Sequence, residues 1–284
     1  MLDGMRALRG AERGDSAPFP RVALVGAGHL ADALVRGWLA AGMPAERVAV
    51  TNRERDDRLA AMAALGVRAV RDKAAALAGA EAVVLAVKPQ DAAEALRACG
   101  PVWPDGAVLL SLVAGWETRR LLEQLGRRVE CVRAMPNTAC AVGESATAAY
   151  AAAGAAARAL ADRLLSVVGR VVWLGREEDM DAVTAVAGSG PAYVYLLVEA
   201  LVEAATAEGL DAATAHDLAV QTVLGAAHHL RASGVHAAEL RRRVTTPGGT
   251  TAAAVSVLED RGFRPALAEA VSSAARRSRQ LGGR

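Results

Sequence analysis

The chain has 284 residues, 53% of them hydrophobic but only 3% aromatic, and carries a formal net charge of +2. That length is enough for two cores or one large one, and so small a charge gives no argument for a nucleic-acid partner. Three cysteines (Cys99, Cys131, Cys140) and five histidines show no metal-ligand spacing and no even disulfide framework, so no metal is expected and a reducing cytoplasm is the expected compartment.

Residues 1–20 lack an apolar stretch and read as a loose N-terminal extension rather than a signal peptide. A short apolar run, 21–25, then leads into Gly26-Ala27-Gly28-His29-Leu30-Ala31. A helical pattern follows through Leu34 and Trp38 and stops at Gly42. Strand, glycine turn and helix in this order are the context of a dinucleotide-binding loop. Gly26 permits the tight turn, Gly28 lets backbone approach a pyrophosphate, and Ala31 is the small residue where helix packs on strand. The next strand, 47–51, ends in Thr51-Asn52-Arg53. No carboxylate sits at its tip to hold a ribose 2′-hydroxyl, and Arg53 suits a 2′-phosphate. NADPH is therefore the expected cofactor and NADH the second choice; the nearby Glu54 weighs toward NADH.

Further strands are expected at 67–70, 82–87, 107–112, 129–133, 146–150 and 171–174, alternating with Ala-rich helices. That alternation predicts an α/β fold, a Rossmann-like doubly wound, mainly parallel sheet. Ligands in such sheets sit beyond the carboxyl ends of the strands. Ala86-Val87-Lys88-Pro89 ends the fourth strand, with a helix starting near Asp91; Lys88 either reaches a ligand or is a surface lysine. Leu112 and Ala114 follow the fifth strand. Met135-Pro136-Asn137 ends the sixth, and Asn137 is a candidate for orienting a ligand.

From residue 177 the period is helical throughout. Helices are expected at 191–208, capped by Ser189 and stopped by Gly209, and at 211–232, 237–243, 251–261 and 265–280. The chain thus divides into 21–176, a nucleotide-binding domain, and 177–284, an all-α domain for substrate and dimerisation. The uncharged run 182–198 reads as the start of a buried helix and not a membrane span, because charge resumes at Glu199. A helix apolar on nearly every face needs cover on all sides, which predicts an obligate homodimer with each site close to the partner chain. Near the end, Val244-Thr245-Thr246-Pro247-Gly248-Gly249-Thr250-Thr251 passes through two glycines into a helical pattern. The loop reads either as an anion site on a helix N-terminus or as a Thr-capped helix after a Pro-Gly turn.

These motifs carry a resemblance. Gly26 to Ala31, Ala86-Val-Lys-Pro89, Met135-Pro-Asn-Thr138, Asp181-Ala-Val-Thr184, Gly188-Ser-Gly-Pro-Ala-Tyr193, Gln221 to Ala227 and Val244 to Thr251 occur in the order seen in pyrroline-5-carboxylate reductases. From about residue 21 to 282 the chain resembles that family. The resemblance implies reduction of the cyclic imine 1-pyrroline-5-carboxylate to L-proline by NADPH or NADH, and a dimer often assembled further into a larger ring. It assigns the substrate carboxylate to the N–H groups around Gly248, Gly249 and Thr250. Thr251 is assigned as the catalytic hydroxyl on the ring nitrogen, with Ser189 and Glu177 in the substrate set and Lys73 beside the nucleotide ribose or adenine. The chain departs from the usual pattern at Lys73, Cys140 or Ala139, Ser145, Ala187 and Thr246. The alternatives are an imine reductase acting on another ring and a nucleotide-binding protein with weakened activity. A β-hydroxyacid dehydrogenase would need a lysine after the Gly-Ser-Gly segment, and 193–208 contains none.

Overall fold

β1 (Val22–Val25) has no exposed face. Val22 and Leu24 enter one apolar cluster, Ala23 and Val25 another, so the strand lies between two cores. The structure, a computed structural model, describes residues 19–53 and 55–284. The expected N-terminal extension lies outside the described residues except for its last two positions, and Glu54 lies outside them too.

β2 (Val48–Thr51), β3 (Arg68–Val70), β4 (Ala82–Leu85), β5 (Val108–Ser111), β6 (Cys131–Met135), β7 (Ser145–Ala152) and β8 (Gly169–Trp173) join β1 in one sheet of order β3-β2-β1-β4-β5-β6-β7-β8. All neighbours are parallel except β6 and β7, where Met135 pairs Ala148 in antiparallel register. All eight expected strands exist, with shifted ends. β4 stops at Leu85 rather than 87, because the glycine turn after β1 backs against Ala86 there. β6 runs on to Met135 until Pro136 removes the next backbone donor.

α1 (His29–Ala40), α2 (Asp56–Ala63) and α6 (Ala155–Ser166) cover one face of the sheet, where Trp38 Nε1 donates to Leu164 O at 2.8 Å. α3 (Lys73–Leu77), α4 (Ala92–Cys99) and α5 (Thr118–Leu125) cover the other. The helix expected near Asp91 begins with a tight turn, Pro89–Asp91, before α4. Helices on both faces of a mostly parallel sheet make this half a Rossmann-like α/β unit.

Among the described residues no strand follows Trp173. The helical half comprises α7 (Met180–Val183), α8 (Gly190–Ala207), α9 (Ala212–Ser233), α10 (Ala237–Val244), α11 (Thr250–Asp260) and α12 (Phe263–Leu281). Local chemistry sets several ends: Asp211 accepts from Thr214 N at 3.0 Å to cap α9, and Gly234 ends it in the left-handed region. One expectation fails here. Ser189 makes no side-chain cap bond and is itself helical, because α7 continues into α8 through a wide turn instead of a fresh start. Within its own chain α8 stands open to solvent: Tyr195 is 58% and Leu196 65% exposed. The run Glu177–Ala207 is long and apolar enough to cross a membrane by length and composition alone.

Two polar clasps fasten the helical half to the sheet. Glu177 Oε1 accepts from Arg133 Nη1 at 2.8 Å, from Thr118 N at 2.6 Å and from Thr118 Oγ1 at 2.8 Å, and Arg133 is 2% exposed. Asp181, 3% exposed, accepts from Ser278 Oγ and from Arg284 Nη2, both at 2.6 Å, while Arg284 Nη1 reaches Glu117 at 2.9 Å. Burial alone would raise the Glu177 carboxyl, but the hydrogen bonds from Arg133 and Thr118 outweigh it and hold the group below the ordinary glutamate value.

A carboxyl depressed in the folded state stabilises above its unfolded value, and that contribution is lost as pH falls through the folded one. Glu177→Ala leaves Arg133 buried without its partner and should cost about 3–5 kcal/mol at neutral pH. Thermal unfolding of wild type and variant across a pH series should show this gap narrowing as pH drops below the ordinary glutamate range. A pH-independent gap would mean that the charge of Glu177 contributes nothing.

Candidate functional site

The sheet order reverses between β1 and β4, and a cleft of about 740 Å³ opens there beyond the carboxyl ends of the strands. Gly26 forms its floor. Its φ is +109°, its N–H donates to Thr51 O at 2.9 Å, and a Cβ on it would lie 2.5 Å from Ala86 O. Only glycine fits between three strand ends at that angle. Gly28 is the opposite case: no atom lies within 4 Å of where its Cβ would be, so the backbone faces open space. It also precedes α1 without any side-chain cap, and the first N–H groups of the helix stay available to an anion.

Of the residues assigned to the cofactor from sequence, Gly26, Ala27, Gly28, His29, Leu30, Asn52, Arg53, Lys73, Ala86, Val87, Lys88 and Leu112 line this cleft. Ala31, Pro89 and Ala114 do not. Ala31 is fully buried beneath the loop, Pro89 starts the turn into α4, and Ala114 is half-buried after β5.

Arg55, Arg58, Asp91 and Glu94 also line it and were not singled out from sequence. The cluster Arg53, Arg55 and Arg58 directly after β2 was the available signal. Arg58 Nη2 lies 3.3 Å from His29 Nε2 at the start of α1, so a cation stands beside the helix N-terminus. One reading needs correction. The tip of β2 lacks a carboxylate in sequence, yet Glu94 on α4 forms an ion pair with Arg53. The hydrogen bond and charge of Arg53 hold the Glu94 carboxyl below its ordinary value. Nothing local in the sequence signals a pairing between separate βα units.

The residues assigned to substrate lie elsewhere. Gly248 has φ +74°, and Gly249 N donates to Thr246 O at 3.0 Å; a Cβ on Gly249 would sit 2.7 Å from Thr246 Oγ1. This closed turn delivers the chain into α11 with no side-chain cap, so the N–H groups at Thr250 and Thr251 begin the helix unpaired, as in an anion site. None of Gly248, Gly249, Thr250 and Thr251 lines the cofactor cleft of the same chain, nor do Ser189 and Glu177. Glu177 is engaged in the clasp with Arg133 and Thr118. Asn137 is held by backbone at both ends of its amide: its Oδ1 accepts from Ala139 N at 3.1 Å and its Nδ2 donates to Ala187 O at 3.0 Å. Ser145, a departure from the family pattern, is likewise buried, between Asn137 N at 3.1 Å and Thr147 Oγ1 at 2.9 Å.

The cysteines offer no nucleophile. All three are buried, and burial pushes their thiols up to about 11 at Cys99 and about 12 at Cys131 and Cys140. What the geometry offers is a glycine-floored, cation-rimmed crevice beyond the strand ends and, in the helical half, a glycine turn that starts α11 with no side-chain cap.

Known proteins match both halves of the chain. Residues 177–281 match the family model described as pyrroline-5-carboxylate reductase dimerisation, and residues 21–115 match that described as NADP oxidoreductase coenzyme F420-dependent. A pyrroline-5-carboxylate reductase of Pseudomonas aeruginosa is 40% identical over 264 residues, covering 92% of this chain and 97% of the relative. The structure of a pyrroline-5-carboxylate reductase from Coxiella burnetii superposes with a TM-score of 0.82 at 35% identity, over 93% of this chain and 98% of that one. A pyrroline carboxylate reductase of Plasmodium falciparum, solved with NADP bound, gives a TM-score of 0.85 at 25% identity, over 94% and 100% of the two chains. On this identity across nearly the whole length, and on the shared fold, the chain belongs to the pyrroline-5-carboxylate reductase family.

Proposed function

We propose that the protein reduces 1-pyrroline-5-carboxylate to L-proline, taking the hydride from NADPH, with NADH as an alternative donor, and that it works in the cytoplasm. The observation that carries this reading is the pairing of the open Gly28 backbone at the head of α1 with the closed Gly248-Gly249 turn at the head of α11. The first suits a dinucleotide pyrophosphate, the second a small carboxylate. When bound, the nicotinamide supplies the hydride, and an imine carbon is already electrophilic. The task left to the chain is positioning. The N–H groups at Gly249, Thr250 and Thr251 hold the substrate carboxylate. The Thr251 hydroxyl hydrogen-bonds the ring nitrogen and assists delivery of its proton. Ser189 closes the pocket, and Glu177 shapes it through its hold on Arg133. At the other end Arg53, with Arg58 nearby, favours the 2′-phosphate.

Residues 21–176 act in this reading as the nucleotide domain, and 177–284 as the substrate and dimerisation domain. The chain works as a homodimer, because the apolar sides of α8 and α9 are open to solvent in a single chain. The loop at 248–251 does not line the cofactor cleft of its own chain, so the partner's helical domain is placed to complete each site. A hydroxyacid dehydrogenase reading fails for want of a lysine on α8.

The activity is tested by following NADPH absorbance with pyrroline-5-carboxylate, beside its six-membered homologue and simple hydroxy acids. Turnover of the five-membered imine supports the reading; turnover of only another substrate rejects it. Thr251→Ala should lower turnover by roughly ten- to a thousandfold while NADPH binding barely changes; an unaltered kcat would remove Thr251 from the chemistry. Arg53→Ala should weaken NADPH binding by roughly ten- to a hundredfold and leave NADH nearly unaffected. Equal losses for the two cofactors, measured by titration, would make Arg53 structural.

A further inference from the structure

The helical run from α7 into α8 contains one π turn, Thr184–Gly188. Ser189 N donates to Thr184 O at 2.9 Å, spanning five residues instead of four. Such turns carry an extra residue, are rare, and gather at functional sites.

This one has a cost written into its sequence. With Ser189 N diverted, Ala185 O loses the donor that an α-helix would give it. Ala187 O has none to lose, because the residue four positions on is Pro191, which has no N–H. Both carbonyls are nevertheless satisfied. Tyr193 Oη donates to Ala185 O at 3.0 Å. Asn137 Nδ2, from the turn after β6, donates to Ala187 O at 3.0 Å. Gly188 between them is packed so closely that a Cβ there would lie 3.3 Å from Cγ and Sδ of Met135. Two motifs far apart in sequence, Met135-Pro136-Asn137 and Gly188 to Tyr193, thus meet as the two sides of one device.

We propose that Asn137 and Tyr193 are positioning residues for the imine site: together they hold the π turn, and the turn sets the direction in which Ser189 is presented. The proposal rests on the placement of Ser189 at the imine given above. The Tyr193 bond satisfies the carbonyl that the wide turn orphans, and the Asn137 bond satisfies the one that Pro191 orphans and ties the turn to the end of β6. Relaxation to α register would rotate one side relative to the other by about 100° per residue, which carries the Ser189 hydroxyl away from its place.

Tyr193→Phe removes only the donor to Ala185. Asn137→Asp keeps the acceptor for Ala139 N, removes the donor to Ala187 and sets a carboxylate oxygen against that carbonyl. Each variant should keep NADPH affinity within about twofold of wild type, lower kcat/KM for the imine by roughly ten- to a hundredfold, and, in the crystal structure of the variant, move the Ser189 N–H bond from Thr184 O to Ala185 O. Wild-type kcat and KM in both variants would overturn the proposal, and so would a loss confined to NADPH binding. If the unmodified protein fails to reduce the imine, the proposed activity falls, while the structural arm still reads the device: a Ser189 N–H still bonded to Thr184 O in both variants would contradict it.

Discussion

A helix that its own chain cannot cover constrains the rest of this molecule. α8 presents Tyr195, Leu196, Leu197 and Leu201 to solvent, and α9 adds Leu218, Val220 and Leu224. A side chain of this size is worth roughly 1.5–3 kcal/mol when fully buried. A handful from each of two chains therefore offsets the roughly 4–15 kcal/mol that association costs. In a single chain the same residues would form an apolar surface of the kind that marks an interface. The helical half thus leaves an apolar surface open, while the central strands of the sheet are buried on both faces under the chain's own helices.

The two halves must nevertheless hold a fixed relation, since a hydride passes only over contact distance. The clasps supply it. Glu177 ties the first turn of the helical half to Thr118 on α5 and Arg133 on β6, and Asp181 holds Arg284, which reaches across to Glu117 just before α5. Both carboxylates sit within a few residues of the π turn, so the junction of the halves and the shaping of the site share one short segment. A buried pair of this kind is a weak source of stability but a strong penalty when half of it is removed, which suits an element whose task is geometry.

The parts legible in the sequence were those with local causes. The glycine loop, the eight strands and the helix stops at Gly42 and Gly209 all follow from residues adjacent to the feature they produce. What stayed hidden depended on distant partners. Glu94 meets Arg53 from a different βα unit, and Asn137 spends its amide on a carbonyl fifty residues away. Ser189 looked like a cap because serine before Gly-Pro usually is one, and only the bond from its N–H to Thr184 O shows the helix continuing through it. The burial expected for α8 was a correct reading of its composition, but the cover it demands does not come from its own chain.

In the proposed dimer the cofactor cleft of one chain meets the Thr251 loop of another. Mixing two separately inactive variants tests it most directly, one carrying Gly26→Val in the cleft and the other Thr251→Ala, co-refolded in equal amounts. If sites are built across the pair, half of the dimers are mixed and each mixed dimer holds one intact site, so about a quarter of wild-type activity returns. If each site belongs to one chain, every site in the mixture carries a lesion, and activity stays at the level of the separate variants.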